Sequence, residues 1–360
     1  MALSKVNPNF VGETAIGRRN LAINGDMRIA QRGATTTAIG QSANYFSLDR
    51  VKLFNSGGAG ATYTVSQETD APTGFTKSYK IQTTTADTSL PAASYTILRL
   101  ATTEAQDLLR LGWGTSSAKS LTFSFWVKSN KTGDQTILAV THANMQQHVK
   151  QKFTINSANT WEKKEITFVG NTGTAMEDGS AMGFGIDIFL AAGSNYQGGT
   201  TSLGVWGTRA ATDKAADTLN IANSTSDYFQ ITGVQLEVGD TATDFEHRSY
   251  GEELAACKRY YQVVSASPTF GVDNIRARMS LSFPVEMRGT PSVSQSAVVV
   301  LANPGVGNVT QSGVSFSIAG VSTNRGGTYQ LANLSGMTES KIYHFGQSSG
   351  AALLQFDAEL

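Results

Sequence analysis

The chain has 360 residues, of which 40% are hydrophobic and 16% are charged, a composition typical of a folded protein with two or three domains. Lys and Arg total 28 and Asp and Glu total 28, so no basic surface is predicted and nucleic acid is excluded as a partner. Low charge combined with 36 glycines favours β-sheets joined by tight turns over a helical bundle.

The sequence contains one cysteine, Cys257, which excludes an intrachain disulfide and a cysteine-based metal site. The opening residues, MALSKVNPNFVGE, lack the apolar stretch of a signal peptide, and no apolar run reaches the roughly 18 residues of a membrane-spanning helix. We therefore expect folding in a cytoplasm without membrane insertion, and release by cell lysis if the protein acts outside the cell.

Residues 1–19 contain Pro8 and Gly12 but no periodic pattern, which predicts an extended N-terminal arm that attaches to another protein. In residues 20–33, the pair Asn24-Gly25 between apolar residues is a strong turn signal. Short alternating segments then predict strands at regular intervals, with one short helix at 103–111. The predicted strands are 49–54, 61–67, 78–83, 94–101, 119–129, 135–141, 149–155, 161–169, 182–190 and 228–238.

The clearest of these strands is 119–129. Its alternate apolar positions are Leu121, Phe123, Phe125 and Val127. Many antiparallel strands separated by Gly, Asn, Asp and Ser clusters indicate an all-β antiparallel sandwich, or jelly roll, over residues 20–248. The long polar segment 192–227 within it is typical of a functional loop or of a loop packed on a neighbour.

Ser249 and Glu252 have the spacing of a capping box, in which each side chain bonds a backbone amide at the start of a helix. A connecting amphipathic helix is therefore predicted at residues 249–262. Helical spacing places four side chains on one stripe: Tyr250, Leu254, Cys257 and Tyr261. This stripe either packs on the chain's own sandwich or meets symmetry-related copies, and its position between two β domains favours an oligomer interface.

Residues 263–360 are predicted to form a smaller C-terminal β-rich domain. Its predicted strands are 276–283, 292–302, 313–319, 328–334 and 341–345. The last ten residues, AALLQFDAEL, also alternate, which predicts that the C-terminus is tied into a sheet.

The sequence has no HExxH, GxSxG, Walker or Rossmann motif. Its four histidines show no common ligand spacing, which favours structural histidines over a zinc site. The aspartates, Asp187 among them, are interpreted mainly as turn residues rather than as a glycosidase pair. A calcium site built from Asn24, Asp26 and Asp240 is weighed but not predicted. We predict no catalytic residue, no cofactor and no metal.

Aromatic side chains beside Gly and Asn favour sugar binding, because the C–H face of a pyranose stacks on an indole or phenol ring. Tyr196 and Trp206 of the long loop and Tyr329 of the C-terminal domain are the candidate glycan-binding residues. For each of them, anchoring of a loop or packing between subunits is the alternative interpretation.

Three segments stand out together: NLAINGDMRIAQRG (20–33), SLTFSFWVKSNKTG (120–133) and ITGVQLEVGDTATDFEHRSYGEELAACKRYY (231–261). Together they resemble a family of tail-fibre proteins of tailed bacteriophages and prophages. The resemblance covers residues 20–262 and implies a carbohydrate-binding-module-like jelly roll in a virion appendage, usually a homotrimer. The family has no agreed catalytic residues to carry over, and the part after residue 262 resembles it more loosely.

The resulting hypothesis is a non-enzymatic tail-fibre subunit located in the virion and made in the host cytoplasm. Its arm attaches to other virion proteins, three copies form the fibre, and its last domain meets a host cell-surface polysaccharide. A capsid-decorating or other structural virion protein is the first alternative, and a capsule-degrading depolymerase is the second.

Overall fold

The structure, a computed structural model, describes residues 19–198, 203–208, 212, 214–216, 218–265, 269–273, 275–295, 299–303, 307–311, 315–334, 342–346 and 353–360. The predicted N-terminal arm lies outside these residues except for Arg19. The chain divides into two units, of which the first ends at Glu253 and the second begins at Leu254. This division falls inside the segment predicted to be the connecting helix.

Antiparallel strands dominate the described part of the first unit. Their bounds are β1 (Thr35–Ile39), β2 (Ser42–Tyr45), β3 (Lys52–Ser56), β4 (Thr62–Glu68), β5 (Ser78–Thr85), β6 (Tyr95–Glu104), β7 (Leu121–Ser129), β8 (Gly133–Thr141), β9 (Gln147–Ile155), β10 (Glu162–Phe168), β11 (Met182–Ala192), β12 (Trp206–Thr208) and β13 (Tyr228–Val238). One 3-10 helix, Ala105–Leu111, follows β6, and another, Ser194–Tyr196, follows β11.

These strands pair in two sheets, of order β1-β4-β5-β13-β7-β10 and β12-β9-β8-β11-β6-β3-β2. The chain crosses between the sheets repeatedly, as it does in a jelly roll. The core lies between them, and the four alternate apolar side chains of the clearest predicted strand are fully buried there. Across the core, the rings of Phe125 and Phe153 meet edge to face with centroids 5.1 Å apart. The predicted all-β sandwich is confirmed.

β13 lies in the middle of its sheet, between β5 and β7. A bulge interrupts its register with β7 at Gly233, which takes a φ of 62°. Residues 20–33 are fixed along this strand through Asn20. The Asn20 side chain accepts a hydrogen bond from the Leu236 amide at 2.9 Å and donates one to the Val234 carbonyl at 3.1 Å. The segment is therefore part of the sandwich.

Three strands of the first unit, β1, β2 and β12, lack the alternation that would predict them. Each lies at the edge of its sheet, where a short strand does not need an apolar face to be held in place. The helix predicted at 103–111 is a 3-10 helix that starts at Ala105. It ends before Gly112, whose φ of 61° is a conformation that favours glycine.

Helix α1 (Tyr250–Lys258) begins at the predicted capping box. The Ser249 amide donates to Glu252 Oε2 at 3.0 Å, and the Glu252 amide donates to Ser249 Oγ at 3.3 Å. The helix is shorter than predicted, because Tyr261 opens strand β14 (Tyr261–Ser265). That strand contains Tyr261 and the β-branched residues Val263 and Val264, which favour strand over helix. The prediction that Tyr261 shares a helical stripe is wrong.

The second unit is also antiparallel. Its strands are β14, β15 (Thr269–Gly271), β16 (Ala277–Ser282), β17 (Ser292–Gln295), β18 (Val299–Asn303), β19 (Gly307–Gln311), β20 (Ser315–Thr323), β21 (Gly326–Ala332), β22 (Ile342–Gly346) and β23 (Leu353–Asp357). In the described residues they form sheets of order β14-β23-β17 and β19-β18-β22-β15-β16-β21-β20. The C-terminal strand β23 pairs on both sides, so the terminus is held in a sheet as predicted.

Candidate functional site

A cavity of about 170 Å³ lies on the face of the β12-to-β2 sheet that points away from the sandwich core. Side chains alternate along a strand, so Arg99, between core residues Leu98 and Leu100, faces outward. The residues that line the cavity are Phe54, Tyr95, Ile97, Arg99, Leu138, Val140, His148, Asp187, Phe189, Tyr196 and Lys214. The volume is far above the ~15 Å³ that a single water requires.

Arg99 and Asp187 form an ion pair in the wall of this cavity. They lie directly opposite each other on β6 and β11. Arg99 Nε donates to Asp187 Oδ1 at 2.6 Å, and Arg99 Nη2 donates to Oδ2 at 2.8 Å. The two residues are only 7% and 3% exposed. The guanidinium also lies 4.8 Å from the centroid of the Phe54 ring. This bidentate geometry fixes both planar groups in one orientation.

The Arg99 guanidinium stays charged despite its burial. Burial alone would lower the pKa of the Arg99 guanidinium, but the charge of Asp187 and the hydrogen bonds to it outweigh that effect and raise the pKa. A carboxylate has about four lone-pair positions, of which Arg99 uses two. Asp187 therefore retains capacity to accept hydrogen bonds from a ligand.

Two tyrosines form an aromatic wall of the cavity. The rings of Tyr95 and Tyr196 meet edge to face, with centroids 5.4 Å apart and planes at 82°. Tyr196 ends the short 3-10 helix after β11 and also lies 6.4 Å from the ring of Phe189. Burial and the neighbouring Tyr95 raise the pKa of Tyr196, so its phenol is neutral at physiological pH and can donate a hydrogen bond.

The structure separates the three predicted glycan-binding residues. Tyr196 lines the cavity, as just described. Trp206 is not among the cavity residues; its Nε1 donates to the Val169 carbonyl at 2.7 Å and its ring lies 5.3 Å from that of Trp113. Tyr329 lies in the core of the second unit with no exposed surface. A ring without an exposed face cannot stack on a sugar, so Tyr329 is a core residue.

Arg99, Asp187, Tyr95 and Phe54 are cavity residues that the sequence did not identify. A signal was present at Asp187, which lies in the apolar strand MGFGIDIFLAA rather than in a turn. A carboxylate inside such a strand requires a charged or hydrogen-bonding partner. The partner, Arg99, is 88 positions away in sequence, so only the fold brings the two together.

The predicted oligomer stripe is only partly accessible. Tyr250 is 54% exposed and Leu254 is partly exposed, whereas Cys257 and Tyr261 are buried. An interface between copies through α1 stays a prediction, and Tyr250 and Leu254 are the members of the stripe that remain available for it.

In the described parts of the chain, no three His, Cys, Asp or Glu side chains lie close enough together to hold a metal ion. The side chains weighed for calcium have protein partners. Asn24 Nδ2 donates to the carbonyls of Ile29 and Asp49, both at 2.9 Å, and Asp26 accepts a hydrogen bond from Arg28 Nε. None of the helices among the described residues combines the length and apolar character needed to cross a membrane.

No protein-family model matches the chain, and no curated protein matches it in sequence. Similar solved structures include the enzymatically active domain of tailspike protein 4 of bacteriophage CBA120. It has a TM-score of 0.31 and 12% identity, over 61% of this chain and 21% of the tailspike chain.

Two further similar structures are sugar-binding proteins by description. A putative sugar binding protein from Bacteroides thetaiotaomicron has a TM-score of 0.31 and 11% identity, over 61% of this chain and 99% of that one. A family 11 carbohydrate-binding module from Clostridium thermocellum, solved with a β-1,3-1,4-mixed-linked tetrasaccharide, has a TM-score of 0.28 and 12% identity, over 59% and 99%. Similarity at this level assigns no role to any residue of this chain.

Proposed function

We propose that the first unit is a carbohydrate-binding domain and that the outward-facing cavity holds the glycan. The observation that carries this proposal is the bidentate Arg99–Asp187 pair, buried beside aromatic rings in the wall of a cavity. A sugar needs both features, because its C–H faces pack on rings while its hydroxyls pair with fixed polar groups. Donors of Arg99 and acceptors of Asp187 stand side by side, which suits neighbouring hydroxyls on one sugar ring.

A carbohydrate array tests this proposal. The wild-type protein is expected to bind a subset of the displayed glycans. Tyr196→Ala is expected to weaken that binding about fivefold, since an aromatic contact contributes on the order of 1 kcal/mol. Tyr228→Ala is the matched control, because Tyr228 is also partly exposed but lies in the opposite sheet. Equal loss in both variants, or no binding by the wild type, would contradict the proposal.

We infer that the glycan is bound without being cleaved. Among the described residues that line the cavity, Asp187 is the one carboxylate. Glycosidases generally need two, one on each side of the bond that breaks. Incubation with a polysaccharide that the array identifies is therefore expected to release no new reducing ends. Sustained release that is lost in Asp187→Asn would point to the depolymerase alternative instead.

For the whole chain we propose a homotrimeric tail-fibre subunit of a tailed bacteriophage that contributes to adsorption on a host-surface glycan. The proposal is supported by the resemblance of residues 20–33, 120–133 and 231–261 to tail-fibre proteins. Residues 1–19 would attach to other virion proteins, and Tyr250 and Leu254 would contribute to contacts between copies.

Light scattering of the purified chain is expected to give the mass of three copies. An antibody to the chain is expected to label the tail of the virion in electron micrographs. A stable monomer would contradict the trimer, and label spread over the capsid would favour a decorating protein.

A further inference from the structure

A row of charged side chains crosses the outer face of the sheet that carries the cavity. Lys52 on β3 lies directly opposite Arg99 on β6, and Arg99 lies directly opposite Asp187 on β11. Residues directly opposite each other on antiparallel strands point to the same face of the sheet, so Lys52 faces outward together with the Arg99–Asp187 pair. The charges along this part of the row are therefore positive, positive and negative.

The two cations meet at the ring of Phe54, which lines the cavity. The Lys52 ammonium lies 5.3 Å from the centroid of that ring, and the Arg99 guanidinium lies 4.8 Å from it. Lys52 is partly exposed, and its ammonium also lies 5.0 Å from the centroid of the Tyr45 ring. The two rings thus hold the ammonium beside the cavity, although Lys52 is not one of the lining residues.

Arg99 keeps hydrogen-bond donors for a ligand. A guanidinium has five N–H groups. Two of those of Arg99 bond Asp187, and Nη1 makes a long contact of 3.8 Å with Met182 Sδ. Two N–H groups therefore remain after these three contacts, on a side chain that lines the cavity.

The position of Asp187 leaves room for a second anionic group. Like charges directly opposite each other on neighbouring strands destabilise a sheet, and Lys52 and Arg99 are such a pair. Asp187 lies on the other side of Arg99, two strand spacings or about 10 Å across the sheet from Lys52. An anionic group between Lys52 and Arg99 would lie closer to both cations than to Asp187, so attraction outweighs repulsion.

Resting on the carbohydrate-binding function proposed above, we propose that the cavity takes an acidic sugar, a uronic acid whose carboxylate is bound by Lys52 and Arg99. Hydrogen bonds between a carboxylate and an ammonium or guanidinium are about twice as strong as those between neutral groups. Hydroxyls of the same sugar ring then face Asp187. The sugar is thereby held in one orientation, with its carboxylate toward β3 and its hydroxyls toward β11.

Calorimetric titration with matched acid and ester probes tests the inference. The probes are oligosaccharides of galacturonic, glucuronic and mannuronic acid, each as the free acid and as its methyl ester, together with oligosaccharides of galactose, glucose and mannose. The ester keeps every hydroxyl and removes the charge. The wild-type protein is expected to bind at least one acid about tenfold or more tightly than the ester of that acid, because charged hydrogen bonds are lost in the ester.

Equal affinity for an acid and its ester, or binding to the neutral oligosaccharides alone, would overturn the acidic ligand while leaving carbohydrate binding in place. A ligand found only on the carbohydrate array is compared in the same way with its methyl ester, and a ligand without a carboxylate overturns the inference. Binding to none of the probes and to nothing on the array would instead contradict the carbohydrate-binding function, and the acidic ligand with it.

A variant of Lys52 gives a second test. Lys52→Met removes the ammonium but keeps an unbranched side chain, and it is expected to lower the preference for acid over ester about fivefold or more. Lys80→Met is the matched control, because Lys80 is also a partly exposed strand lysine whose ammonium lies 4.8 Å from the centroid of a tyrosine ring, that of Tyr228, but in the other sheet.

The ratio of the two affinities separates recognition from packing. If Lys52 only supported the rings of Tyr45 and Phe54, Lys52→Met would weaken the binding of acid and ester alike. An unchanged preference in a folded Lys52→Met protein, checked by circular dichroism, would therefore overturn the inference. If that variant does not fold, the comparison of acid and ester on the wild-type protein decides.

Discussion

Arg99 and Asp187 face each other across two adjacent strands and share two hydrogen bonds, of 2.6 and 2.8 Å, on the outer face of a sheet. Taking such a pair out of water costs about as much as its mutual attraction returns, so a buried ion pair is weak evidence for added stability. Its place in the wall of a cavity fits the ligand recognition proposed above.

Removal of one member of the pair is expected to be costly. Asp187→Ala leaves the guanidinium buried without its partner, and the free energy of unfolding is expected to fall by about 3–5 kcal/mol. The double variant Arg99→Met/Asp187→Leu replaces both charges with apolar groups and is expected to stay within about 1 kcal/mol of the wild type or above it. Urea unfolding followed by circular dichroism measures both values.

The double variant also separates folding from recognition. It is expected to be folded and yet to lose binding to the glycans that the array identifies. Retained binding by this variant would show that the pair is not the recognition element.

The capping box of α1 gives an independent prediction. Ser249→Ala removes the acceptor of the Glu252 amide and is expected to lower the free energy of unfolding by about 1 kcal/mol. Ser249→Asp keeps an acceptor at the same position and is expected to lose less. Urea unfolding of the two variants side by side tests this. Equal losses of the free energy of unfolding in both variants would show that the side-chain acceptor at position 249 contributes nothing.

Much of the framework could be predicted from the sequence, because alternation along a strand coincides with one strongly buried face. β13 has the predicted bounds, and the alternate residues of β7 face the core as expected. The same argument could have placed Tyr329 in the core, because Tyr329 and Leu331 are alternate residues of β21 and both are buried. The edge strands β1, β2 and β12 escaped prediction because a short edge strand needs no such pattern.

The cavity could not be predicted, since the strands that build it are covered on both faces. On β6, Ile97 and Arg99 face outward while Leu98 and Leu100 face the core, and all four are largely buried. A period of two does not tell which face is the core when both are apolar. The length of the loop carrying Tyr196 is typical of a functional loop or of a loop packed on a neighbour, and its return over the sheet depends on the fold.

Gly233 at the bulge of β13 is expected to be intolerant of substitution. Its φ is 62°, and a Cβ there would lie 2.7 Å from Phe75 Cζ and 3.0 Å from Trp126 Cδ1. Gly233→Ala is expected to cost about 1–3 kcal/mol through backbone strain and this clash. Gly40→Ala is the control, because no atom lies within 4 Å of the added Cβ. Thermal unfolding of both variants measures the difference. Equal midpoint temperatures for the two variants would contradict the expectation.

Glu246 links the start of the sandwich to its end and is expected to make stability depend on pH. It accepts hydrogen bonds from the Asn20 amide at 2.9 Å, the Arg19 amide at 3.2 Å and Arg248 Nη2 at 2.8 Å. Partial burial alone would raise the pKa of Glu246, but these hydrogen bonds and the charge of Arg248 outweigh it and hold the pKa below its usual value.

A carboxyl group whose pKa is lower in the folded state stabilises the protein above its unfolded pKa, which is about 4.3 for Glu. This stabilisation is lost as the pH falls through the lower, folded value. The free energy of unfolding is therefore expected to decline below about pH 5, and Glu246→Gln to be less stable at neutral pH and to decline less steeply. Urea unfolding at a series of pH values measures this. Glu165→Gln, at a side chain that is 50% exposed, is the control and should parallel the wild type. If Glu246→Gln also parallels the wild type at every pH, the hydrogen bonds to Glu246 do not contribute to acid sensitivity.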